Sequence, residues 1–353
     1  MKRRTFGRLA ILGGVGAGIG TSMISCATRE SLNSEKATPT MKKIIPRTLR
    51  MGDTIGLIAP GSPFSEKVYK RAITHLESLG LKIKESKNLH KSYGYLAGKD
   101  EDRVNDIHQM FKNPEVSGIW CIRGGYGTTR LLPDLDYELI KANPKVLIGY
   151  SDITALLNAI YLKTGLAGFH GPVAASEMTA YTYENVYSQL FNNNSKSTVK
   201  QFIPEGEGEE YKPVVIRPGK MSGELIGGNL SLLAAMAGTE FELDAKGKIL
   251  FIEDVGEKPY RIDRMLTQLR QTANLKHATG ILLGVFNGCQ PGENDQSLPL
   301  IDTLKDRLGD LEIPVYYGFS FGHIDNNCTI PIGAKASFDT EKPILNILEA
   351  VTS

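Results

Sequence analysis

A serine, a few histidines and several carboxylates carry the chemistry open to this chain, and acyl transfer is one reaction that such a set could perform. Val146-Leu147-Ile148-Gly149-Tyr150-Ser151-Asp152 runs an apolar strand straight into Ser151, and a helical pattern follows at once. That strand–turn–helix step is the setting of a nucleophile elbow, which lifts a hydroxyl above a sheet edge. It also puts Ser151 at a helix N-terminus, where unpaired backbone N–H groups face a developing oxyanion. Serine and aspartate are favoured as plain helix caps too, so spacing alone leaves both readings open. A second feature, Arg123-Gly124-Gly125-Tyr126-Gly127, directly follows the apolar run Gly118–Ile122. Glycines at a strand's carboxyl end let backbone approach a ligand closely, at the edge where parallel sheets bind ligands. Neither the dinucleotide fingerprint nor the P-loop lysine is present. The loop therefore reads as a tight turn or as a source of oxyanion donors beside Ser151.

A serine nucleophile needs a base, and the base needs an orienting acid. His75 and His108 fall inside helical patterns, whereas His170 and His323 follow apolar runs, each behind glycine and phenylalanine. His323 ends Tyr317-Gly318-Phe319-Ser320-Phe321-Gly322-His323, a strand-end loop of the kind that presents catalytic side chains. For the acid, Ile249-Leu250-Phe251-Ile252 runs into Glu253-Asp254, with Glu257 close behind. The pattern does not choose among those three.

The elements that must position these groups alternate. Strands are expected at 53–59, 81–85, 118–122 and 146–150, with helices at 66–79, 101–111 and 152–164 between and after them. Strands alternating with helices imply parallel pairing and right-handed crossovers. The expectation is an α/β fold: a Rossmann-like or flavodoxin-like N-terminal domain over 44–190, a polar, glycine-rich interdomain linker over 191–214, and a smaller, β-rich α/β domain over 215–353. In the last, strands are expected at 249–253, 280–286 and 313–318, with helices at 261–269 and 300–308. No internal repeat is evident.

The first 43 residues read differently. Lys2, Arg3, Arg4 and Arg8 precede a glycine-rich stretch, Leu9–Ser25, that is too short and too polar for a membrane span. Residues 1–25 read as a signal peptide. Arg3-Arg4-Thr5-Phe6-Gly7-Arg8 resembles a twin-arginine signal, and Met23-Ile24-Ser25-Cys26 resembles a lipobox with Cys26 as the lipidated residue. Residues 26–43 read as a flexible tether. Cys121, Cys289 and Cys328 are too widely spaced for a zinc site or a disulfide framework and read as small buried hydrophobes.

Together these segments resemble the LD-carboxypeptidase family of serine peptidases. The matching stretches are Gly52–Ile55 with Ala59–Pro63, RGGYGTTRLLPDLDY (Arg123–Tyr137), GYSDITALLNAIYLKTG (Gly149–Gly165), GELIGGNLSLL (Gly223–Leu233), ILFIEDVGEKPYRIDRMLTQLR (Ile249–Arg270) and YGFSFGHIDNNCTIPIGAKASFD (Tyr317–Asp339). The resemblance implies a Ser151–His323–Glu253 triad, an oxyanion hole from the backbone of Asp152 and Gly125, and a site between two domains. It implies an acyl-enzyme route with neither metal nor organic cofactor. It also implies a peptidoglycan stem peptide as partner, cut before a terminal D-alanine, and a homodimer in many members. A carboxylate-bearing substrate needs a cation, for which Arg123 and Arg130 are candidates, with Tyr150 beside the nucleophile. Well-known members lack a signal, so export to the cell envelope and lipid anchoring to a membrane set this chain apart.

Two other readings stay in play: a microcin-immunity-like amidase, and a non-catalytic solute-binding lipoprotein with an interdomain cleft. Nucleic-acid binding is excluded by charge. The chain carries 41 basic and 39 acidic residues. Without the four basic residues of 1–25 the balance falls to 37 against 39, and no basic excess remains.

Overall fold

The computed structural model describes residues 42–206 and 208–353; Cys26, the signal and most of the tether lie outside them. In chain order the elements are β1 (Thr54–Ile58), α1 (Glu66–Ser78), β2 (Lys82–Glu85), α2 (Asp100–Lys112), β3 (Gly118–Cys121), α3 (Tyr137–Ala142), β4 (Val146–Gly149), α4 (Ile153–Thr164), β5 (Phe169–His170) and α5 (Ala180–Leu190). There follow β6 (Ser197–Lys200), β7 (Val214–Arg217), β8 (Lys220–Asn229), α6 (Leu230–Met236), β9 (Lys248–Val255), α7 (Pro259–Thr272), β10 (Gly280–Asn287), α8 (Leu300–Leu308), β11 (Val315–Tyr317), β12 (Ile330–Pro331), β13 (Lys335–Asp339) and β14 (Lys342–Ile347).

The first sheet runs β12-β5-β4-β3-β1-β2, and its five N-terminal strands are mutually parallel. Their order, 2-1-3-4-5, is the flavodoxin-like one. β3 and β4 are buried at every position, which is why GIWC and VLIG read as unbroken apolar runs. α1 is capped by Ser65, whose hydroxyl accepts from the Val68 N–H, and it buries Ala72 and Leu76 one turn apart.

The second sheet runs β6-β14-β13-β8-β9-β10-β11-β7, with β8 to β11 parallel and the outer strands antiparallel. The fold class is therefore α/β with two sheets, but the chain does not divide between them at the expected boundaries. Segment 191–214, expected as a linker, contains β6, which hydrogen-bonds to β14 as an edge strand. From the C-terminal half, β12 crosses back to pair with β5.

α4 holds the two sheets together. It is buried continuously from Ile153 to Ile160, because it packs against the first sheet and against β8. Asn158 Nδ2 donates to the Gly227 carbonyl at 2.8 Å, and the Asn229 N–H donates to Thr154 Oγ1 at 3.0 Å. Gly228 adopts φ +138°, and a Cβ there would lie 2.5 Å from Thr154 Oγ1. Only glycine permits that approach. The helix that follows Ser151 is thus fixed to the strand beside the one that carries Glu253.

Candidate active site

Ser151 sits in the turn between β4 and α4 with φ +64°, in the left-handed region that a non-glycine residue seldom occupies. The Thr154 N–H donates back to the Ser151 carbonyl at 2.9 Å and starts the helix. The buried Asp152 carboxylate accepts from the Thr128 N–H at 3.0 Å, tying the turn to the loop after β3. That loop is also pinned from the other side. The Ser62 N–H donates to the Gly124 carbonyl at 3.1 Å, and Ser62 Oγ accepts from the Tyr126 N–H at 3.1 Å. The turns after β1, β3 and β4 therefore converge at the carboxyl edge of the parallel strands, where the strand order reverses. A Cβ on Gly124 would stand 2.9 Å from Ser151 Cβ, so that position must be bare. Among the described residues, nothing accepts a hydrogen bond from the N–H of Gly125 or of Asp152.

The second sheet supplies the other groups. After β11 the chain turns through Gly318–Gly322. The Phe321 carbonyl accepts from the Val285 N–H at 3.0 Å, and the Phe321 ring packs on Phe251 with centroids 5.8 Å apart. This delivers His323, whose carbonyl is held by Asn287 Nδ2 at 2.7 Å. His323 Nδ1 lies 2.7 Å from Glu253 Oε2, and Nε2 lies 3.0 Å from Ser151 Oγ. Glu253 is fully buried near the end of β9. Burial by itself would raise its pKa, but His323 outweighs it and holds the carboxylate below its usual range. For His323 the balance runs the same way: burial pulls the imidazole down, and Glu253 more than offsets this and raises it.

Of the three acids left open by the sequence, only Glu253 meets a histidine. Asp254 points the other way, as alternation along a strand requires. It accepts from Asn229 Nδ2, the Ser231 N–H and Ser231 Oγ at 2.9–3.1 Å, and burial and then Glu253 push it up to about 6. Glu257 pairs with Arg261 at the surface. His170, the rival base, is fully buried on β5; among the described residues neither ring nitrogen has a hydrogen-bond partner, and its ring lies against Phe251 and Phe321. Burial lowers its pKa to about 4. His75 Nδ1 lies 3.2 Å from the Ala174 carbonyl, and His108 accepts from the Asp136 N–H.

A cavity of about 400 Å³ opens beside His323, lined by Arg71, Arg123, Tyr150, Glu177 and Asp325 among others. A smaller one of about 230 Å³ shares the His323–Asp325 segment and adds Phe202, Asn287 and Asn326. Of the three substrate-binding candidates, Arg123 and Tyr150 line the larger cavity. Arg130 does not: it forks onto Asp100, with contacts of 2.7–3.1 Å, and is not among the lining residues. The sequence reading missed Arg71, Glu177 and Asp325. For Arg71 a signal existed. It lies in the second turn of a helix that begins just after the β1 turn, so it must project near the carboxyl edge of the sheet. Cys121, Cys289 and Cys328 are free and buried.

Comparison with known proteins identifies the family. Residues 55–171 match the LD-carboxypeptidase N-terminal domain and residues 222–338 the LD-carboxypeptidase C-terminal domain. A probable murein peptide carboxypeptidase of Bacillus subtilis is 44% identical over 84% of this chain and 91% of its own length. The solved structure of a muramoyltetrapeptide carboxypeptidase from Oxalobacter formigenes superposes with TM-score 0.73 at 32% identity, over 85% of this chain and all of that one. An MccF-like protein from Bacillus anthracis gives 0.78 at 31%, over 87% of this chain and 99% of that one. Both halves of the fold and nearly the whole length of a relative are matched: the chain belongs to the LD-carboxypeptidase family and is a carboxypeptidase.

Proposed function

We propose that this carboxypeptidase works as a serine peptidase, releasing terminal D-alanine from murein tetrapeptides through an acyl-enzyme on Ser151. One observation carries the reading: the unbroken relay Glu253 Oε2–His323 Nδ1 and His323 Nε2–Ser151 Oγ, at 2.7 and 3.0 Å, ending on a serine in a strained turn. His323 takes the hydroxyl proton as Ser151 Oγ attacks the amide carbonyl. The oxyanion is received by the free N–H groups of Asp152 and Gly125, each contributing roughly 3–4 kcal/mol. The C–N bond then breaks, and His323 gives its proton to the departing amine. Water, deprotonated by the same imidazole, hydrolyses the ester and restores Ser151. Glu253 holds the Nδ1–H tautomer and stabilises the imidazolium without taking its proton.

The test is Ser151→Ala on purified murein tetrapeptide, with D-alanine release followed by mass spectrometry. Abolished release from a folded variant is expected; unchanged release removes Ser151 from the reaction. Offering an acyl-adenylate analogue to the wild-type enzyme separates this reading from an immunity amidase. The substrate reading also accords with an exported, lipid-anchored protein, since murein lies outside the cytoplasmic membrane. On that reading Cys26→Ala moves the protein from the membrane to the soluble fraction. Retention of that variant in the membrane contradicts lipidation.

A further inference from the structure

An exopeptidase that removes one residue must bind the terminal carboxylate close to the atom it protonates. In an amino acid the carboxylate carbon lies only roughly 2.5 Å from the amine nitrogen. The receptor must therefore open on the same cavity as His323. That condition excludes Arg130, which Asp100 engages elsewhere. It also excludes the smaller cavity, which has no arginine or lysine in its wall. Two cations remain, Arg71 and Arg123. Arg123 already donates from Nη1 to the Pro63 carbonyl at 2.9 Å. Arg71, among the described residues, makes no ion pair and no hydrogen bond to a carboxylate. Glu177 and Asp325 share the wall with it, yet neither is paired with it. A guanidinium presents a planar fork that matches a carboxylate. Arg71 is exposed to solvent on the wall of this cavity, so its fork is open to an incoming carboxylate.

We propose that Arg71 is the specificity residue that reads the free terminal carboxylate of the peptide, with Arg123 beside it. The inference rests on the serine-carboxypeptidase reading above. It assigns to α1 the choice between a chain end and an internal bond. A substrate whose terminus is amidated lacks the anion and loses the charge-assisted pair, which corresponds to roughly 10–100-fold in affinity.

The experiment compares kcat/KM for a synthetic L-Ala-γ-D-Glu-L-Lys-D-Ala peptide and for its C-terminal carboxamide. It is run on the wild type, Arg71→Met, Arg71→Lys and Arg130→Met. The wild type should prefer the free acid by roughly 10–100-fold, mainly through KM. Arg71→Met should bring the two substrates close to parity, Arg71→Lys should restore part of the preference, and Arg130→Met should keep all of it. Arg71→Met with the full wild-type preference overturns the proposal, as does a preference lost only in Arg130→Met. Labelling of Ser151 by a fluorophosphonate on the same preparations tests the underlying reading separately. A wild type that resists the label sinks the serine mechanism. A labelled Arg71→Met that still discriminates sinks only the role of Arg71.

Discussion

Tyr150 stands between two histidines, its ring centroid 6.2 Å from His170 and 4.8 Å from His323. Each comes just after a glycine and a phenylalanine near the end of an apolar run; His170 is fully buried and His323 mostly so, with one side on the cavities. Their fates diverge on one contact. His323 reaches the buried Glu253 carboxylate at 2.7 Å and is raised against its own burial. Among the described residues His170 reaches no acceptor, and burial lowers it to about 4. The β5 histidine is a neutral packing group, and the one after β11 is the proton carrier of the proposed mechanism. Burial alone does not make a base. Burial with a directed carboxylate does, because the low dielectric strengthens the pair as much as it penalises a lone charge.

The hardest way to strain this comparison is to remove the contact itself. Glu253→Gln keeps the shape of the side chain and deletes its charge. In a relay of this kind such a change costs about 10⁴-fold in kcat, by favouring the wrong imidazole tautomer. It should also move the acid limb of the pH profile. Attack requires neutral His323, so kcat/KM rises as pH climbs through its folded pKa. In the wild type Glu253 outweighs burial, so that limb lies above roughly 6.5, the ordinary histidine value. In Glu253→Gln burial is opposed only by the smaller pull of Asp254, and the limb moves to lower pH. A rate loss under tenfold with an unmoved limb would show that Glu253 does not act on His323.

A smaller effect is expected at the position that seats Ser151, the proposed nucleophile. In Gly124→Ala the new methyl would stand 2.9 Å from Ser151 Cβ and 3.2 Å from Oγ. The turn must shift by some tenths of an ångström, on a serine already at φ +64°. Misplacing a reacting group on that scale costs up to about 10²-fold. Circular dichroism and melting should remain near wild type while kcat falls. Wild-type kcat in this variant would mean that the loop yields freely.

What the sequence revealed, and what it concealed, follows from the same physics. GIWC and VLIG are buried on both faces, so their unbroken apolar runs mark central parallel strands without ambiguity. The serine could be placed because a strand end and a helix start bracket it within two residues. β8 is a different case. KMSGELIGGN is poor in strand-forming residues and holds three glycines. It is a strand because β9 and β13 flank it and α4 presses on Gly228, contacts that a linear pattern does not contain. β6 was hidden for the same reason inside a polar stretch. The choice among Glu253, Asp254 and Glu257 turned on the side of β9 that faces the His323 loop. That depends on how the second sheet docks, and no local spacing encodes it.

The gentlest test acts on the histidine that has no partner. His170→Phe replaces two unsatisfied nitrogens with carbon in a site already walled by Phe251 and Phe321. Activity should stay within about threefold, since removing a buried unpaired polar group leaves the relay untouched. The sharper readout is stability against pH. With a folded pKa of about 4 and an unfolded value near 6.5, wild-type His170 binds fewer protons folded than unfolded throughout that window. Its contribution is complete above pH 6.5 and is lost as pH falls towards 4, by on the order of 3 kcal/mol in all. Asp254, raised to about 6, slopes the other way, but it is present in both proteins and cancels in the difference. The gap in melting temperature between His170→Phe and wild type should therefore widen in the variant's favour between pH 6.5 and 4.5. Any strain from the larger ring adds a constant and leaves that slope intact. A gap that is flat with pH would mean that His170 finds a proton partner after all, and the contrast between the two histidines would then be one of degree.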